Sequence, residues 1–89
     1  MVAASDAVLA SPLGGEVVLL EPDAGVYYSL NEVGARIWDL IRDPISVDSL
    51  SSAIAGEYQV ERAQAHDDVL RLLTDLLEHG LAETRPPPG

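Results

Sequence analysis

The chain has 89 residues, enough for one packed core and too few for two ordinary domains. Hydrophobic residues, mostly aliphatic, make up 47% of it, so a folded interior is expected despite a single Trp and no Phe. Fifteen Asp and Glu against five Arg give a formal net charge of −10, which repels phosphate backbones, and the lack of Cys excludes disulfides, thiolate metal sites and thiol nucleophiles.

In chain order, residues 1–10 carry Asp6 and no basic side chain, unlike a signal peptide, and no apolar run reaches the roughly 18 residues of a membrane span. A soluble, cytoplasmic protein without membrane contact is expected. Three short runs of apolar and β-branched residues then read as strands: Ala7 to Ala10, Glu16 to Glu21 and Val26 to Leu30. Ser11 to Gly15 supplies turn chemistry between the first two. Pro22-Asp23-Ala24-Gly25 joins the second pair, with Pro22 presetting φ, Asp23 able to bond its own backbone and Gly25 free to take positive φ.

From Asn31 the period becomes helical. Val33, Ile37, Leu40 and Ile41 recur at spacings of three and four, Asn31 is placed to cap, and Asp43-Pro44 ends the helix. Trp38 is expected as a core anchor. Ser46 caps a second helix with stripe Val47, Leu50 and Ile54 and an exit over Gly56 to Val60; Ile45 and Leu50 form a hydrophobic staple. A third helix runs from Arg62 to His79 and stops at Gly80. Its apolar residues cover roughly half the circumference, more than a capping helix requires, which fits either core packing on both flanks or a face shared with a partner.

Three strands followed by three helices give an α+β fold, a winged helix-turn-helix-like arrangement with a three-stranded antiparallel sheet. One domain is expected over residues 1–84, with 85–89 a disordered Pro-rich tail. The third helix offers only Arg62 and Arg71 against Asp67, Asp68, Asp75 and Glu78, unsuitable for a DNA major groove. An acidic winged-helix regulator is the alternative from a different functional class.

Little in the chain suggests catalysis, a cofactor or a metal. His66 and His79 lie too far apart along one helix to share an ion, Asp67 and Asp68 diverge by about 100°, and Gly14-Gly15 lacks the lysine and helix of a phosphate loop. An open sheet edge is a liability unless covered, and an added peptide strand is one way of covering it. Tyr27 and Tyr28 should face opposite sides of their strand.

The run Val26-Tyr27-Tyr28-Ser29-Leu30-Asn31-Glu32-Val33-Gly34-Ala35-Arg36-Ile37-Trp38, with Tyr58, Asp68-Val69-Leu70, Leu72-Leu73 and Gly80-Leu81, resembles the pyrroloquinoline quinone biosynthesis protein D family of RiPP recognition elements. Within it, Tyr-Tyr-Ser-Leu-Asn and Ile-Trp look most like the stand-alone proteins of lasso-peptide gene clusters. The resemblance implies a non-catalytic module that binds the leader of a ribosomally made precursor as an added strand between the third strand and third helix, then passes it to a leader peptidase and a cyclase. A chaperone for the quinone-cofactor precursor is the neighbouring alternative. Carried to this sequence, the peptide site is expected at Val26, Tyr27, Tyr28, Ser29 and Leu30 on the strand and at Asp68, Val69, Leu72, Asp75 and Leu76 on the helix. This flank of the helix is preferred to Leu70, Thr74 and Leu77 because Asp68 fits the family pattern.

Overall fold

The computed structural model describes residues 1–86. Its elements are β1 (Val2–Ala4), β2 (Leu9–Leu13), β3 (Glu16–Glu21), β4 (Val26–Leu30), α1 (Glu32–Leu40), α2 (Val47–Tyr58), α3 (Arg62–Glu78) and β5 (Ala82–Thr84). The fold is α+β: a three-stranded antiparallel sheet in the order β2-β3-β4 and three helices, with β1 and β5 forming a separate antiparallel pair.

The first predicted strand is displaced. Pairing begins at Leu9 and continues through Ser11, Pro12 and Leu13, residues whose composition reads as a turn. Pro12 is tolerated because β2 is an edge strand, where a missing donor costs little. The turn itself shrinks to Gly14 and Gly15, both at positive φ (60° and 87°), as a two-residue hairpin loop requires. In the β3–β4 turn the organising carboxylate is that of Glu21, which accepts from the amides of Asp23 and Ala24.

The helix caps follow the residue chemistry. Asn31 Oδ1 accepts from the Gly34 amide at 2.9 Å, and Ser46 Oγ from the Ser49 amide at 3.1 Å. At the end of α3, Gly80 (φ 73°) donates to the Leu77 carbonyl and Leu81 to the Leu76 carbonyl, the paired bonds of a Schellman stop. The exit of α2 comes later than Gly56: the helix absorbs that glycine and ends at Gln59, which takes the left-handed conformation (φ 53°).

Leu19, Leu30, Ile37, Trp38, Ile41, Leu50, Ile54, Val69, Leu73, Leu76 and Leu81 are buried and form one continuous core. The sheet supplies its inward residues, α1 crosses β3 and β4, and α2 packs along α3. β1 and β5 secure the chain ends: Val2 exchanges bonds with Ile45, and Ala4 donates to the Ile41 carbonyl. Arg85, assigned above to the tail, is held by backbone bonds in both directions with Met1 (2.7 and 2.8 Å); the rest of that tail, residues 87–89, lies outside the described residues. No helix among these residues is long and apolar enough to cross a membrane.

Candidate functional site

β3 is the central strand, so the sheet has two open edges. Pro12 blunts the one on β2. β4 carries no proline, and in an antiparallel pair alternate residues direct their N–H and C=O groups away from the partner strand, leaving β4 able to accept another strand.

Beside β4 lies a groove of about 450 Å³. β4 contributes Tyr28, Ser29 and Leu30; the start of α1 contributes Asn31, Val33, Gly34 and Ile37; α3 contributes Asp68, Arg71, Leu72 and Asp75. Leu30 and Ile37 are each 2% exposed and make the floor, with Val33 and Leu72 half-buried around them. The charged groups stand at the rim. An apolar floor with a few polar groups above it suits an extended peptide whose side chains provide anchors and whose backbone seeks hydrogen bonds.

Gly34 lies where the start of α1 packs on the end of β4. A Cβ there would stand 3.2 Å from Leu30 Cδ2 and 3.4 Å from Asn31 Oδ1, so glycine permits the close approach of the helix to the end of β4. At the opposite end of the groove, the Tyr28 hydroxyl donates to Asp75 Oδ2 at 3.0 Å. Burial raises the Tyr28 pKa, reinforced by this bond and by the negative charge of Asp75. The Tyr28 ring also meets the His79 ring edge-on at 5.8 Å, and His79 Nδ1 lies 2.7 Å from the Asp75 carbonyl oxygen.

Of the ten residues expected at the site, the groove brings together Tyr28, Ser29, Leu30, Asp68, Leu72 and Asp75. Val69 and Leu76 lie elsewhere: both are fully buried and belong to the core. Their side chains sit on the face of α3 that turns toward Leu73 and the interior, while Leu72 is offset toward the groove. Val26 is half-buried beyond the groove, and Tyr27 is 70% exposed on the other face of the sheet, in a cross-strand row with Leu9 and Leu20. Leu70 and Leu77 lie on the opposite flank of α3, outside the groove.

Asn31, Val33, Gly34, Ile37 and Arg71 are the lining residues that the sequence reading did not assign to the site. Asn31 reads as a cap alone; Gly34, a glycine inside a helical pattern, is the signal available in advance for a close approach. Among the described residues no three His, Asp or Glu side chains are grouped to hold a metal ion.

The family model for coenzyme PQQ synthesis protein D (PqqD) matches residues 16–82. The chain is 34% identical to TbiB1, solved in complex with the TbiA(β) leader peptide, over 94% of this chain and 98% of that one, with a TM-score of 0.83. It is 29% identical to lasso peptide synthetase B1, solved complexed with the leader peptide, over 93% of this chain and 98% of that one, with a TM-score of 0.80. No curated protein matches the chain.

Proposed function

The chain belongs to the coenzyme PQQ synthesis protein D family, and on that premise we propose that it binds the leader of a ribosomally made precursor peptide, as a RiPP recognition element of lasso-peptide biosynthesis. The leader adds to β4 as a fourth strand and lies against α3, its backbone bonding to the free edge and its apolar side chains entering the floor formed by Leu30, Ile37 and Leu72. Tyr28, Ser29, Asp68 and Asp75 border its path.

The observation carrying this reading is the open β4 edge beside an apolar-floored groove. Both solved relatives, similar over more than nine-tenths of this chain, are complexes with a leader peptide. Likeness to lasso peptide synthetase B1 favours the lasso pathway over precursor binding in quinone-cofactor synthesis. The module has no catalytic step of its own in this reading: it holds the precursor and delivers it in the cytoplasm to the leader peptidase and then the cyclase.

Fluorescence anisotropy of a labelled synthetic leader, taken from the precursor encoded in the same gene cluster, tests the binding. Titration with the full chain should saturate in the micromolar range or below, as small peptide interfaces allow. An anisotropy that never saturates contradicts it.

A further inference from the structure

All five Lys and Arg side chains of the sequence are arginines. Four of them are in ion pairs: Arg36 with Glu57 at 2.8 Å, Arg42 with Asp39 at 3.8 Å, Arg62 with Asp48 at 3.8 Å and Arg85 with Glu83 at 2.7 Å. Arg71 is in none among the described residues, and it stands on the groove wall. The acids placed to take it on its own helix are Asp68, three residues before, and Asp75, four after. Both are engaged by uncharged donors. Asp68 Oδ1 accepts from Gln64 Nε2 at 3.0 Å, and Asp75 Oδ2 from the Tyr28 hydroxyl at 3.0 Å.

We propose that Arg71 is a specificity-determining residue whose guanidinium takes a carboxylate side chain, Asp or Glu, from the peptide bound in the groove. The assignment rests on the peptide-binding reading above and adds to it the chemistry of one ligand position. A guanidinium presents a planar fork of donors that matches a carboxylate with two parallel bonds. A peptide lying over the apolar floor excludes water from one side of that pair, which strengthens it relative to an open surface pair. The surrounding charge sharpens the choice: the protein carries a net −10, and Arg71 is the basic residue in a groove lining that also holds Asp68 and Asp75, so it is opposite Arg71 that the groove accepts an acid of the ligand.

Selection from a phage-displayed library of random extended peptides, run in parallel on the full wild-type chain and on Arg71→Glu, tests this. Arg71 is exposed, so the variant should keep the wild-type circular dichroism. Wild type should fix Asp or Glu at one position, and Arg71→Glu should replace it there with Lys or Arg. In the synthesised consensus peptide, exchanging the acid for its amide should weaken binding to wild type about tenfold, the scale of a lost charge-assisted pair. The same consensus from both proteins, or one without an acid, overturns the Arg71 assignment and leaves peptide binding standing. Absence of any enriched peptide, or enriched peptides whose binding is indifferent to Leu72→Asp, overturns the groove reading itself.

Discussion

The hydroxyl of Tyr28 donates a 3.0 Å hydrogen bond to Oδ2 of Asp75, joining β4 to α3 across 47 residues of sequence. The groove lining ends at these two residues, so the bond ties its two walls together at the Val26 end.

Tyr28→Phe removes a hydrogen bond to a charged acceptor in a half-buried position, and should cost about 1 kcal/mol of stability. The loss should depend on pH. Because the Tyr28 pKa is raised in the folded chain, its contribution is fully present below about pH 10, the value for an ordinary tyrosine, and disappears as pH rises through the folded-state value. Denaturant titrations of both proteins across the alkaline range should show the difference shrinking above that point; a difference independent of pH contradicts it.

Leu72 and Leu70 separate the two flanks of α3. Leu72→Asp places a charge in the groove wall and should weaken leader binding by about tenfold or more, as loss of a buried anchor does. Leu70 is 40% exposed away from the groove, and Leu70→Asp should change affinity less than about twofold. Anisotropy titrations decide, with circular dichroism confirming that both variants fold; the reverse order of effects places the peptide on the other flank.

Asn31→Ala deletes the α1 cap and should lower stability by about 1 kcal/mol, whereas Asn31→Asp keeps an acceptor for the Gly34 amide and puts negative charge at the positive end of the helix. Chemical denaturation should therefore rank Asp close to wild type and Ala below it. Equal loss in both variants would mean that Asn31 acts through something other than its cap.

Ser51 is fully buried on α2, and its hydroxyl finds no partner among the described residues. Ser51→Ala removes an unsatisfied polar group and substitutes a better helix former, so stability should rise by about 1 kcal/mol. A decrease of similar size in denaturant unfolding would show that the hydroxyl is bonded in solution.

The helices were legible because their signals are local. Asn31, Ser46 and Gly80 mark boundaries within a turn of the groups they bond. β1 and β5 carry no such mark: each has three residues, and their pairing, Val2 with Thr84 and Ala4 with Ala82, joins opposite ends of the chain without a connecting turn to announce it. Ser11 and Pro12 mislead for a related reason, since turn chemistry is also acceptable on an edge strand. At the candidate site, Tyr28 and Leu30 line the groove together with Asp68, Leu72 and Asp75 on the flank of α3 that the family resemblance favours. The wide apolar arc of α3 does not reveal which part of it the core takes, and Val69 and Leu76 went to the interior. Arg71 was legible only as a charge; its place on the groove wall, outside any ion pair among the described residues, is a matter of tertiary structure.

The most direct test of strand addition is a backbone N-methyl scan of the leader, with affinity measured for each singly methylated peptide. Methylation removes an amide donor without changing the side chain, and only alternate amides of an added strand face β4. The peptide-binding account predicts loss of binding at every second position over the segment opposite Tyr28 to Leu30, with the intervening positions tolerant. Uniform tolerance along the leader would contradict it.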